Sequence, residues 1–389
     1  MKKYLYTLLV ILTCSCKVPF QPAVTTTAYS YLVVDGVINS GSNSTDSTFL
    51  KLSRTFKIST SPLTNPELHA QVSVEDAANN SYPLTETGKG NYIAAALGLN
   101  NTKQYRLRIK TSDNRIYLSD FVAIKPTPPI DSIGFTATDK LTIYANAHDA
   151  TNSTRYYRWD YGETWEFRAL YGTSYITDGT QIVLRTPAQQ YPGSCWQSDQ
   201  SADIVLASTK PLTQDLVYQA PIAVIPSTSE KISVDYSILL KQYALTEDAY
   251  IFWQQTKKNT EELGSIFDAL PSQINGNIHC VTNPTEPVFG YMNITNVQVK
   301  RIFIHAIDLP RSWTSKYPYP CGLDTAFFQS YIKANAPKLN NYPSVEALLI
   351  PFGSSHIPVD PLGVGYTYST KECLDCSIRG TKIKPPFWQ

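Results

Sequence analysis

The sequence predicts an all-β, mainly antiparallel protein. An N-terminal sandwich of immunoglobulin or transthyretin type is followed by a larger β-sandwich region with a few inserted helices. Three observations predict it. Apolar and polar residues alternate with period two in short segments. In Gln104–Lys110 (QYRLRIK), Tyr105, Leu107 and Ile109 share one face, and Arg106, Arg108 and Lys110 the other. The composition favours strands, with 26 Tyr and abundant Thr and Val against 2 Met, broken by 26 Pro and frequent Asn. Turns such as Asn79-Asn80 and Asp113-Asn114 separate the segments at the spacing of a sandwich.

The chain opens on an address, not on a strand. Lys2 and Lys3 precede an apolar run from Tyr4 to Leu12 that is too short to span a bilayer. Thr13-Cys14-Ser15-Cys16 then closes the run with small residues, which is the layout of a secretory signal. A cysteine directly after a small residue resembles a bacterial lipoprotein signal, in which that cysteine is acylated and begins the mature protein. Cys16 after Ser15 fits this best. Cys14 after Thr13 is the second choice, and an ordinary secreted protein is the bland alternative. Residues 1–16 are therefore expected to be the signal ending at lipidated Cys16. Contact with the membrane then runs through that lipid, in an oxidising compartment. Residues 17–30 are rich in Pro and Thr and read as a tether, reaching roughly 40 Å at about 3.1 Å per residue.

Strand patterning begins at Tyr31. Residues 31–125 carry LVVDGVI, TFLKLSRT, AQVSVED, SYPLTET, GNYIAA, QYRLRIKT and RIYLSDFVAI, and form the expected first sandwich. The Pro-rich Lys125–Pro129 (KPTPP) is the expected boundary. Residues 126–389 form the larger domain. Its strands include KLTIYANA, RYYRWDY, TWEFRAL, QIVLRT, ADIVLAS, VYQAPIAVI, KISVDYSILL and VQVKRIFIHAI. Thr246 to Glu262 breaks the pattern and predicts a helix laid on a sheet. Thr246 caps it, Glu247 and Asp248 occupy the first turn, and Lys257 and Lys258 come later. Further helices are expected over Asp324 to Ala336, ended by Pro337, and over Ser344 to Leu349.

With 389 residues there is ample chain for more than one core. The formal charge of +1, about −1 without Lys2 and Lys3, and the absence of a basic run leave no footprint for nucleic acid. Of seven cysteines, the loss of Cys14 and acylation of Cys16 leave five. The simplest arithmetic is two disulfides joining Cys373 and Cys376 to Cys195 and Cys321, in an order left open, with Cys280 buried and free. Cys373-x-x-Cys376 lacks the further ligands of a zinc site and the strand-to-helix setting of a redox motif.

No catalytic residue, metal ligand or cofactor is assigned. His69, His148, His279, His305 and His356 are scattered, and neither His-Glu-x-x-His nor Gly-x-Ser-x-Gly occurs. Glu163 and Glu166 resemble a glycosidase pair only in number, because residues three apart on a strand face opposite ways. The remaining candidate surface is aromatic. Trp313, Tyr317 and Tyr319 share a Pro-rich loop ending in Cys321, and Phe387-Trp388 end the sequence. The loop rings can serve as an interface anchor or a platform for a sugar ring, or simply pack over the disulfide-tied end.

Several of these segments together resemble a known family. They are LVVDGVI, KLSRT at Lys51 to Thr55, PPIDSI at Pro128 to Ile133, YYRWDYGETWEF at Tyr156 to Phe167 and Cys195-Trp196. KQYALTEDAYIFW, GSIFDALPSQINGNI, NPTEPVFGYM, KRIFI and the closing Cys-x-Asp-Cys with KPPFW complete the set. The chain resembles the Bacteroidota lipoproteins of domain-of-unknown-function family 4249, in which no cysteine is expected at position 280. The resemblance implies an outer-membrane lipoprotein, often encoded beside a TonB-dependent receptor, with no established activity and no agreed catalytic residues. The expected function is that of a non-enzymatic accessory to such a receptor, capturing substrate or acting as a lid. The rivals are a cell-surface adhesion or envelope-structural module and, behind it, a surface hydrolase of glycan or peptide.

Overall fold

The computed structural model describes residues 30–43, 46–56, 65–177, 180–191, 193–261, 275–339, 341–346 and 356–388. Cys16, the signal over 1–16, the tether up to residue 29 and the second half of the short helix expected from Ser344 lie outside the described residues.

The first body holds strands β1 (Leu32–Asn39), β2 (Thr48–Arg54), β3 (Gln71–Asp76), β4 (Ser81–Gly88), β5 (Asn91–Ala94), β6 (Gln104–Lys110), β7 (Ile116–Ser119) and β8 (Val122–Ala123). The second begins with β9 (Ile130–Ala137), β10 (Lys140–His148), β11 (Tyr156–Phe167), β12 (Tyr175–Thr177) and β13 (Ile182–Leu184). It continues through β14 (Cys195–Gln200), β15 (Val205–Ser208), β16 (Leu216–Pro226), β17 (Asp235–Ala244) and helix α1 (Glu247–Glu261). Then come β18 (Ile278–Cys280), β19 (Ile294–Thr295), β20 (Gln298–His305), β21 (Asp324–Phe327), α2 (Gln329–Ala334), β22 (His356–Leu362), β23 (Gly365–Thr370) and α3 (Lys371–Leu374).

The protein is all-β and mainly antiparallel. Its first sheet has ten strands, curled into a half-barrel in the order β18-β7-β6-β3-β4-β5-β2-β1-β19, with β8 against β6. Period-two alternation places Leu50 and Leu52 of β2, Val74 of β3 and Tyr105, Leu107 and Ile109 of β6 in one core. A second core lies between sheet β16-β10-β9 and sheet β14-β11-β17-β20, the latter with β15 also on β11. Leu141, Ile143, Tyr157, Trp159, Phe167, Tyr236 and Leu240 are fully buried there. RYYRWDY and TWEFRAL merge into the single twelve-residue β11. A small sheet β21-β23-β22 and the hairpin β12-β13 form a third, Tyr-rich cluster.

Two expectations about the later chain are corrected. Asp324 to Ala336 is not one helix: Asp324–Phe327 pairs with β23, and only Gln329–Ala334 is helical. Tertiary pairing overrides helix propensity there, because Ala326 is fully buried beneath Tyr366 and Tyr368. Residues 278–295, expected within the second body, return to the first sheet and supply both of its end strands, β18 antiparallel to β7 and β19 parallel to β1. Glycines permit this close return. A Cβ on Gly290, at φ +144°, would lie 2.3 Å from the Val34 carbonyl oxygen, and one on Gly276 1.8 Å from that of Gly290.

The Pro-rich break at Lys125–Pro129 is bolted down rather than loose. Thr127 Oγ1 lies hydrogen-bonded to Thr295 Oγ1 and also accepts from the Ala244 amide at 2.9 Å. Thr295 in turn donates to the Lys125 carbonyl at 2.6 Å, and Gln242 Nε2 to the Pro128 carbonyl at 2.8 Å. Helix α1 matches expectation in both place and cap, with Thr246 Oγ1 accepting from the Ala249 amide at 3.2 Å. Its Trp253 covers the Arg158 guanidinium of β11, 3.7 Å from the ring centroid.

Two carboxylates hold turns. Asp76 accepts from Lys103 Nζ at 2.7 Å and from Asn80 through both side chain and amide, and these donors, Lys103 first, keep it well below the usual carboxylate range. Burial pushes the Asp149 carboxyl up, but the Thr151 and Ser153 hydroxyls and the Thr151 and Thr154 amides outweigh it and also hold it low. A depressed folded-state pKa means that the unfolded chain binds protons first. The stabilisation is therefore complete above about pH 4 and is lost as pH falls below it. Denaturant midpoints are expected to hold steady from pH 7 to about pH 5 and to fall below about pH 4, less steeply in Asp149→Asn. An equally steep acid limb in that variant would count against the assignment.

Candidate functional site

Two concavities stand out in the second body, and they differ in chemistry. The larger, about 610 Å³, is a groove between the outer edges of β15 and β16. Its charged walls are already engaged. Lys257 Nζ donates to the Ile204 carbonyl at 2.8 Å and pairs with Glu261 at 3.5 Å, while Glu261 accepts from the Ile204 amide at 2.7 Å. Asp203 accepts from Tyr161 at 3.3 Å. These contacts fasten the end of α1 to the start of β15. What the groove offers outward is apolar: Leu212, Leu216 and Val224 are about half exposed, and Tyr218 is 73 % exposed. Pro221 and Pro226 lie on β16 without N–H donors, which discourages an added strand.

The smaller concavity, about 280 Å³, lies beside the disulfide-tied end and contains a residue singled out in the sequence. Trp313 forms one wall, itself packed against the second core. Buried Ile232 and Leu309 form the floor, and Arg311, Ser227, Ser229, Ser233 and Ser315 the rim. Ser229 Oγ accepts from the Lys231 amide at 3.3 Å. Arg311 forms no ion pair among the described residues, and the hydroxyls of Ser227, Ser233 and Ser315 form no hydrogen bond among them. A guanidinium and three hydroxyls thus stand around one indole face.

Tyr317 and Tyr319 do not line that hollow. Arg379 forms a two-nitrogen salt bridge with Glu230 and stacks on Phe167, Tyr317 and Tyr319, with centroid distances of 4.5, 4.9 and 5.7 Å. Tyr317 donates to the Glu372 carbonyl at 2.9 Å. Both rings lie against Arg379 beside the tied end, Tyr317 half-buried and Tyr319 exposed. The disulfides are Cys195–Cys376 and Cys321–Cys373, and Cys280 is free and buried in β18. Trp388 closes the tail against Trp196 and Phe303.

Glu163 is locked, accepting from Tyr236 at 2.7 Å and Lys231 at 2.5 Å inside the second body, while Glu166 on the other face is half-buried. They do not flank a common cleft. The described residues hold no cluster of three or more His, Cys, Asp or Glu side chains at metal-binding spacing, and no helix long and apolar enough to cross a membrane. The sequence reading missed Arg311 and the serines. The signal available was Arg311-Ser-Trp-Thr-Ser315, a cation and three hydroxyls bracketing Trp313, one of the three aromatics already chosen.

A family model described as Domain of unknown function (DUF4249) matches residues 17–301. No curated protein matches the chain significantly.

Proposed function

Since the chain belongs to that family of unknown function, we propose from its own features that it is a non-enzymatic lipoprotein of the outer membrane. In this reading it is held by acylated Cys16 and serves a TonB-dependent receptor by capturing substrate. The observation that carries the proposal is the start of the sequence, a positive pair, a short apolar run and a small residue before cysteine, followed by a tether. The resemblance to envelope lipoproteins points to the partner. Capture, rather than turnover, suits a stapled β body whose buried Glu163 is engaged in structural pairs and which carries a hollow with an indole wall and a polar rim.

Affinity purification of the full-length protein from detergent-solubilised outer membranes tests the reading. A barrel receptor is expected to co-purify with the wild type and to be lost with Cys16→Ala, which leaves the membrane fraction. Recovery of the wild-type protein without any barrel, or retention of Cys16→Ala in the membrane, would overturn it.

A further inference from the structure

We infer that the Trp313 hollow binds the ring of an acidic sugar, a hexuronate unit of a larger glycan. The inference rests on the capture reading and supplies its ligand class. Three features must be matched at once: an indole face, and hydroxyls and a guanidinium that have no hydrogen-bond or carboxylate partner among the described residues. An aromatic acid would stack on the indole and meet the cation but leave the hydroxyls to water. A neutral sugar would stack and hydrogen-bond but leave the planar fork of Arg311 unmatched. A hexuronate presents a C–H face to the indole, hydroxyls to Ser227, Ser233 and Ser315, and a carboxylate to Arg311. At about 280 Å³ the hollow is below the usual range for larger ligands and suits one ring, with the rest of the chain passing outward.

The larger groove does not compete for this role. Its cation and both its carboxylates already bond to the protein, so it offers an anion no free charge. The rim of the hollow is also favourably placed. Ser227, Ser229 and Ser233 sit on the connection after β16, and Arg311, Trp313 and Ser315 on the loop after β20. Backbone hydrogen bonds of 2.8 Å from the Lys316 amide to the Thr228 carbonyl and from the Ala306 amide to the Val234 carbonyl hold the two segments together, leaving their side chains to be changed separately.

Isothermal titration of the full-length protein in detergent micelles, with digalacturonate, lactose and benzoate as probes, tests the proposal. Digalacturonate is expected to bind saturably and more tightly than either control. Arg311→Gln is expected to weaken it about 10- to 100-fold while leaving any weak lactose binding unchanged. Trp313→Ala is expected to weaken both sugars. Because Arg311 is exposed and makes no ion pair among the described residues, Arg311→Gln should keep the wild-type denaturant midpoint. Equal affinity for lactose, indifference to Arg311→Gln, or no binding of digalacturonate would each overturn the acidic-sugar assignment. Receptor co-purification is read independently, so its success beside a failed titration would sink the ligand class and leave the accessory role standing.

Discussion

Replacing Arg54 with alanine is expected to destabilise the protein by about 3–5 kcal/mol, one of the two largest single effects anticipated. Its guanidinium is inside the first body with only 6 % of the side chain exposed. It donates to Glu67 at 2.5 Å, to Tyr117 at 3.1 Å, to Glu286 at 3.4 Å and to the Ser30 carbonyl at 3.2 Å. Glu286 also accepts from Tyr117 at 2.6 Å and from Arg115 at 3.1 Å. Truncation would leave the largely buried Glu67 without its counter-charge and Glu286 with Arg115 alone. Arg54→Lys should recover only part of the loss, since a single ammonium cannot reach four partners laid out for a planar fork. Guanidinium unfolding of the three proteins checks this. A loss below about 1 kcal/mol in Arg54→Ala would show that the network is dispensable.

The second large effect is expected at Cys195–Cys376. This bridge closes 181 residues, and the double variant Cys195→Ala/Cys376→Ala should lose about 3–5 kcal/mol. Cys321–Cys373 closes only 52, so its removal should cost about 1 kcal/mol less on chain entropy alone. The long bridge also holds the tail in register. The Trp196 and Thr381 backbones exchange two hydrogen bonds of 2.8 Å, and Arg301 lies 3.6 Å from the Phe387 ring centroid. Loss of the bridge should therefore expose the segment after Cys376 to protease before the rest unfolds. The reverse ranking of the two bridges, or an unaltered tail, would refute the account.

How much of this was legible in the sequence depended on how local the cause was. The alternation in QYRLRIK and KLTIYANA specified faces correctly, because side-chain direction in a strand follows from position alone. The cap and first turn of α1 were legible for the same reason. The strand at Asp324–Phe327 was not. Its four residues carry no period, and only pairing with β23, some forty residues on, makes them extended. Equally hidden was Glu286 beside Arg54, a contact across 232 positions that no local pattern encodes. Trp313 could be picked out as an aromatic in a Pro-rich loop. Its serine partners could not, since those at 227 to 233 reach it only when β16 and β20 end near one another.

The order of the strands constrains how such a chain can be made. β1 is flanked by β19, and β7 by β18, so the half-barrel is completed by residues made more than 150 positions after its first eight strands. A chain threaded through an export channel from its N-terminus would hold those eight strands with two open edges until the return segment emerged. On the proposed envelope reading, the protein would be obliged to mature late. In that proposed setting, fragments stopping at the Pro-rich break are expected to be prey for proteases rather than stable modules, and a finished half-barrel would certify that the chain had been delivered past residue 295.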